Sequence, residues 1–486
     1  MNPTRLRGVV LGLASFVLAS GVAWGASDAQ PQQPATQPSN QQDMQSEIQD
    51  LRSQVAELKA NQQQTQSDEA EAVKEVIAEA DQNSQLFDAD AGGATSGYLS
   101  RRFFISSEDG DFTFRPWIHV QIRDVTNYQQ SAPPVQNGIE IRRARIGFDG
   151  NLFGKDLTYS IDWATNRANS TLTVRNTAGA TVGTTTSPVG GLPVLEEAWF
   201  KYNFDETPWY IHAGQMHDPL DHENIVGSKY RAPEASLQGD IFGNTDTFTK
   251  AITVIYDPKQ DFRTEAGIND GIRSANTNFE DDPNNGNAYD GGFAGRVEYK
   301  LMGNWHDYDQ LTALNDKEDL LVLGGGADYS YGDGRYATLS HTADLQYANP
   351  EGWFAYLCYF GRYTRDNIGI PATSNPGASF GTPAVAGQDT YEPSVDVEVA
   401  YLIDGQLEPF VRYEYMHLQG TPAGSDNNVT DVSLGMNYYF YGHNLKFTGL
   451  ATYLPTGIPI SDTSSDVLAN NGKAEVVFIA QMQLLL

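Results

Sequence analysis

From about Tyr98 to the end of the chain, apolar and polar residues alternate with a period of two. Phe112, Phe114, Ile118, Val120 and Ile122 fall on one face of their segment, and Thr113, Arg115, Trp117, His119, Gln121 and Arg123 on the other. Leu157, Tyr159, Ile161 and Trp163 alternate with Thr158, Ser160 and Asp162, and Val432, Leu434, Met436 and Tyr438 with Ser433, Gly435 and Asn437. Such alternation predicts strands with one apolar face. Sixteen segments follow it: 112–125, 139–150, 155–167, 192–204, 208–216, 246–257, 260–270, 291–301, 319–330, 335–348, 352–365, 391–402, 406–417, 429–441, 443–454 and 473–486. Each has about the length of a tilted membrane-crossing strand.

The connections alternate between short and long. Asn151 to Gly154, Asp205 to Thr207, Pro258–Lys259, Asn349 to Glu351, Ile403 to Gly405 and Gly442 are short. Residues 168–191, 217–245, 271–290, 366–390, 418–428 and 455–472 are long. Short turns at one end and long loops at the other are a mark of transmembrane barrels. Two connections break the rule: 302–318 is long where a short one is due, and 331–334 short where a long one is due. The expected fold is all-β, a sixteen-stranded antiparallel transmembrane barrel over 98–486 with a short N-terminal helical coiled-coil segment.

The N-terminal part has another texture. Arg5 and Arg7 precede an apolar run from Val9 to Ala19, and Ala23 and Gly25 stand as small residues at a cleavage site, so 1–25 reads as a secretory signal peptide. Residues 26–43 are a Gln- and Pro-rich spacer. In 44–97, Met44, Ile48, Leu51, Val55 and Leu58 step by four and three on one helical stripe, which predicts a periplasmic coiled coil and linker. That segment is a candidate for cell-wall contact.

Composition then narrows the class. With 31 Lys plus Arg against 62 Asp plus Glu the net charge is −31, which disfavours nucleic acid as a partner. Cys358 is alone, so neither an intramolecular disulfide nor a cysteine metal site can form. The 25 Tyr, 22 Phe and 7 Trp gather near segment ends, as interface anchors do in a barrel.

Several stretches resemble the phosphate-selective porin O and P family: GIEIRRARIGFDG at 138–150, LTYSIDW at 157–163, LEEAWFKYNF at 195–204, HAGQMHDPLDHE at 212–223, GRVEY at 295–299, PFVRYEY at 409–415 and LGMNYYF at 434–440. The resemblance implies a trimeric bacterial outer-membrane channel, in contact with lipid, with an arginine- and lysine-lined pore for small inorganic or organic anions, phosphate among them. Strand parity names the candidate lining: Arg115, Arg123, Arg143, Arg145, Lys201, Arg296 and Arg412 point inward. Arg142 shares the outward parity of Ala144, Ile146 and Phe148 and is expected at the membrane boundary, since a midplane Arg facing lipid costs about 2–4 kcal/mol. The bland alternative for each arginine is an ion pair with a luminal acid such as Asp162, Glu197, Glu265, Glu298, Asp396, Glu398 or Glu414.

No nucleophile, base and orienting acid come together, so the chain is not expected to be an enzyme, and no cofactor is implied. His217 and His222 with Asp218, Asp221 and Glu223 match no zinc spacing; they open a long loop that a barrel could fold inward. Gly324 to Gly326 is no phosphate cradle but suits close packing against an internal loop. Three readings remain: an anion-preferring porin, a general or weakly cation-preferring porin on the same fold, and a secreted β-sandwich that binds carbohydrate. The last requires Trp163, Trp199, Trp209 and Trp353 to be core or stacking residues.

Overall fold

The structure is a computed structural model of the whole chain. It describes residues 94–99, 102–130, 134–165, 170–175, 181–187, 193–204, 207–232, 235–243, 248–272, 289–314, 316–332, 336–366, 389–419, 428–459, 465–470 and 472–486. The signal peptide, spacer and coiled coil expected over 1–93 lie outside these residues.

Among the described residues there are twenty strands: β1 (Ala94–Leu99), β2 (Arg102–Ser107), β3 (Thr113–Gln129), β4 (Val135–Leu152), β5 (Leu157–Thr165), β6 (Ser170–Arg175), β7 (Thr181–Ser187), β8 (Pro193–Asn203), β9 (Trp209–Met216), β10 (Thr249–Tyr256), β11 (Phe262–Asn269), β12 (Gly291–Met302), β13 (Leu320–Gly332), β14 (Tyr336–Ala348), β15 (Trp353–Asp366), β16 (Thr390–Tyr401), β17 (Leu407–His417), β18 (Asn428–Tyr439), β19 (Leu445–Leu454) and β20 (Glu475–Leu485). β6 and β7 form a separate hairpin in a long loop. β1 and β2 form another, joined to β3 by Ile105↔Phe114 and Ser106↔Thr113. The other sixteen pair antiparallel in sequence order, and β20 closes on β3 from Glu475↔Gln129 to Leu485↔His119. Closure leaves the sixteen-stranded barrel itself without a free edge, the condition for a sheet to stand in lipid.

All sixteen expected strands are found, and most ends agree within two or three residues. The largest departure is the β3–β4 pair, which runs on to Gln129 and begins again at Val135. Alternation in the sequence becomes alternation in space. Ile118, Ile146, Ile252, Val297, Leu434 and Met482 stand exposed on the outer wall, a belt that only lipid or protein would cover. Trp209, Phe262, Trp353, Tyr401 and Phe440 ring the short-turn end; Tyr128, Tyr329, Tyr363, Tyr391 and Tyr453 ring the long-loop end. Trp209 and Trp353 are therefore outward anchors, which removes the sandwich reading.

The irregular connection after β12 also finds its cause. Strands β12 and β13 are where the pattern puts them, and the long segment between them folds into the barrel. It carries the helical turn α2 (Trp305–Tyr308) and buries Tyr308, Leu311, Thr312, Ala313 and Leu314. A second segment enters from the opposite end, between β9 and β10, and carries α1 (His222–Val226). Its Leu220, Leu237, Ile241 and Phe242 pack with Tyr308 and Leu311 against Val322, Phe354, Phe360, Phe410 and Leu450 of the wall. The lumen thus holds an apolar core of its own.

Candidate pore lining and constriction

β3 and β4 set the character of one wall. Trp117, His119, Gln121 and Arg123 project inward from β3, as the alternation predicts. On β4 the pairing runs Gln121↔Arg143 and then Ile122↔Ile141, so Arg142 is an extra residue in a β-bulge. A bulge lets two successive side chains share one face. Ile139 and Ile141 stay outward on one side of it and Ile146 on the other, while Arg142, Arg143 and Arg145 all turn into the barrel, at 6%, 1% and 8% exposure. Arg142 is therefore not at the membrane boundary, because the strand is interrupted by the bulge and the outward parity of Ala144, Ile146 and Phe148 does not extend to it. Gly147 is required on this wall, because any Cβ there would enter the ring of Trp117.

The wall is tied into an inward cluster. Arg143 Nη1 donates to Gln121 Oε1 at 2.9 Å, and Gln121 Nε2 donates to Gln483 Oε1 at 2.9 Å. Arg145 meets Glu196 through Nε at 2.5 Å and donates through Nη1 to Ser228 Oγ at 3.2 Å. Ser228 belongs to the inserted β9–β10 segment. The next residue, Lys229, places its Nζ 3.2 Å from the centre of the Trp117 ring and lies with Arg143 and Arg145 around His119. Lys229 escapes a sequence reading because loop residues have no parity.

The other candidates sit apart from this cluster. Arg115 lies at the short-turn end, half exposed, 2.6 Å from Asp149. Arg123 bridges Glu140 at 2.6 Å and Asp466, of the β19–β20 loop, at 2.5 Å. Lys201 projects inward near the Tyr210 ring, 5.9 Å from its centre. Arg296 binds Glu298 at 2.6 Å, Asp344 at 2.8 Å, the Tyr308 hydroxyl at 2.9 Å and the Leu220 carbonyl at 3.2 Å. Arg412 reaches Glu414 at 3.1 Å and the Ala235 carbonyl at 3.3 Å. Arg296 and Arg412 are thus clamps that hold inserted segments to the wall.

The two inserted segments also hold each other. Leu311 N–H donates to the Tyr230 carbonyl and Ala232 N–H to the Leu311 carbonyl, each at 2.9 Å, a short parallel bridge inside the barrel. The His222 and Tyr308 rings stack at 3.9 Å and 7°. Thr312 donates to Glu408, and His222 Nε2 meets Gln346 Oε1 at 2.8 Å. The inward folding expected of the loop opened by His217 and His222 is what the structure shows, and the glycine run of β13 makes room for it: a Cβ on Gly326 would fall on the Leu220 carbonyl. His217 lies 3.3 Å from Glu197. Among the described residues no group of three His, Cys, Asp or Glu is placed to hold a metal ion.

A closed antiparallel barrel with an apolar outer belt, a charged inner wall and loops folded into its lumen has the architecture of a membrane-spanning β-barrel. Residues 113–317 match the model of the family described as phosphate-selective porin O and P, a span that includes GIEIRRARIGFDG, LTYSIDW, LEEAWFKYNF, HAGQMHDPLDHE and GRVEY. No curated protein matches the chain. Among solved structures the chain is similar to an anion-selective porin from Comamonas acidovorans, at 10% identity over 77% of this chain and 100% of that one, with a TM-score of 0.49. It is also similar to the outer-membrane OmpT of Vibrio cholerae, at 11% identity over 77% and 98% with a TM-score of 0.48, and to OmpF of Salmonella typhi, at 15% over 76% and 98% with a TM-score of 0.46.

Proposed function

We propose that the protein is a bacterial outer-membrane porin that prefers small anions, with phosphate the solute its family description suggests. One observation carries this reading: the β4 bulge turns Arg142 and Arg143 inward beside Arg145, and the inserted segment brings Lys229 to the same patch. Guanidinium groups bind oxyanions in a bidentate manner, and selectivity follows the charge at the narrow part of a pore rather than the total charge. Charges on distant loops are screened over about 8–10 Å. In this reading Arg115, Arg123, Arg296 and Arg412 hold the acids of the lumen, and Lys201 adds positive charge to the wall.

The measurement is the reversal potential across a planar bilayer in a potassium chloride gradient. Chloride and phosphate should pass in preference to potassium, and Arg143→Ala with Arg145→Ala should move the ratio toward cations. A cation-selective wild type would favour the general-porin reading, which the net charge of −31 supports.

We propose further that the barrel assembles as a homotrimer through the face of β17–β20 and β3, with the N-terminal segment in the periplasm. Asp124 stands exposed on that outer face, in a depression of about 560 Å³ floored by Gly435, Gly449, Ala451 and Ala480. A carboxylate in the lipid belt is costly, and small residues admit another wall closely.

A further inference from the structure

The wall opposite in charge to β4 is sealed. β16 to β18 carry Asp396, Glu398, Glu414 and Asp431 on their inner faces, with Glu392 at the end of the row. In an open lumen these carboxylates would face water. Here Asp396, Glu398 and Glu414 are at most 4% exposed, because the inserted segment runs along the wall over them. Its attachments are specific. Leu237 and Gln238 point their backbone N–H groups at Glu414, at 3.2 and 2.7 Å. The Gln238 side chain sits against Ser394. Arg362 holds Glu392 at 2.6 Å, donates to the Ile241 carbonyl at 3.4 Å, and places its guanidinium 4.7 Å from the Phe242 ring centre. Among the residues the segment buries are the apolar Leu237, Ile241 and Phe242, with one acid, Asp240, beside them.

We infer that residues 235–243 are a selectivity-determining cover, which withdraws the β16–β17 carboxylates from the ion path and leaves the β4 cluster to set the sign. The physical argument is the geometry of shielding. A carboxylate whose oxygens accept backbone N–H groups, and which has an apolar layer between itself and the solvent, attracts a passing cation less than one lining the water. The inference rests on the anion-preferring reading for its sign. Its substance, that the cover hides acids, is tested separately.

Three proteins are compared by reversal potential: the wild type, a variant with 235–243 replaced by a glycine–serine linker of equal length, and the same linker combined with Asp396→Asn, Glu398→Gln and Glu414→Gln. The linker alone should lower the anion-to-cation permeability ratio about tenfold, and the added substitutions should restore at least about fivefold of that loss. Equal ratios in the two linker variants would overturn the inference, since the segment would then only narrow the pore. The wild-type ratio by itself tests the anion reading, so the two failures are distinguishable. A native reporter covers the case in which the linker proteins do not assemble. Cys358 lies on the inner face of β15 under the same cover, with the Gln238 amide 3.5 Å from its carbonyl. In the untouched wild type it should resist a charged, water-soluble thiol reagent that labels it at once in denaturant. Prompt labelling of the folded protein would show this wall open to water and end the proposal.

Discussion

Deleting Arg142 outright is the sharpest test of how β4 is built. The register passes from Gln121↔Arg143 to Ile122↔Ile141, so removal of the bulged residue leaves Ile141 and Arg143 adjacent and on their present faces. Ile139 stays outward, Glu140 stays inward, and the barrel should assemble. Were Arg142 an ordinary outward residue in a regular strand, the same deletion would slip the pairing by one and turn Ile139 and Ile141 into the lumen. The size of the functional effect follows from Coulomb's law. An anion about 4 Å from a guanidinium gains about 1 kcal/mol at the dielectric of water and about 4 kcal/mol at an effective value near 20. Arg142 is 6% exposed, so its surroundings lie between these limits. Even the lower limit corresponds to roughly a fivefold fall in anion preference, at 1.4 kcal/mol per decade. Planar-bilayer reversal potentials should show that fall equally in the deletion and in Arg142→Ala. If the deletion fails to assemble while Arg142→Ala assembles, the bulge is refuted. If both assemble with the wild-type ratio, the β4 cluster does not set selectivity.

Three other outcomes are expected. Gly326→Val should push Leu220 off the wall and loosen the inserted segment, raising single-channel conductance about twofold; unchanged conductance would mean that the segment does not depend on this contact. Burial, aided by the charge of Asp307, pushes Asp316 up to about 7, so its part of the segment after β12 takes up a proton on folding. That contribution is whole below the ordinary carboxylate range and is lost as pH rises toward 7. Amides of 303–319 should exchange faster at pH 8 than at pH 5.5 beyond the intrinsic rates, and Asp316→Asn should abolish the excess; equal protection in the wild type would contradict it. If the proposed trimer forms, Asp124→Lys should release monomers in mild detergent while Asp124→Asn keeps it assembled, and a trimer that survives the lysine would place the contact face elsewhere.

The strands were legible because each side chain of a barrel wall faces either lipid or lumen, and the period of two survives in the residues themselves. The strands flanking the irregular connection after β12 keep the expected register, and the long connection between them is a segment turned inward. The error at Arg142 shows the limit of parity. Its cause is nonetheless visible in GIEIRRARIGF: Ile139 and Ile141 are odd, Ala144, Ile146 and Phe148 are even, and an apolar face that changes phase must contain an extra residue. Lys229 left no such trace. It reaches the β4 wall only because Leu220, Tyr230 and Ala232 are fixed elsewhere in the lumen, and contacts between a loop and a distant strand have no period to read.

The arrangement of ion pairs bears on how so acidic a chain could offer the proposed anion path. Arg123 ties down a loop acid, Asp466; Arg296 gathers Glu298 and Asp344 around Tyr308; Arg362 and Arg412 hold Glu392 and Glu414 beneath the inserted segment. Each of these arginines neutralises a carboxylate and fixes a piece of chain in the lumen. Removing one leaves a buried acid without its counter-charge, a loss usually far larger than the net gain from forming the pair. Within the β4 cluster the contacts are mixed: Arg145 is paired with Glu196, Arg143 donates to the neutral amide of Gln121, and Lys229 lies over an aromatic ring. A positive group that donates to a neutral amide keeps more of its field than one paired with a carboxylate. Arg296→Ala should therefore cost assembly or plug stability, and Arg143→Ala should cost selectivity in a barrel that still assembles.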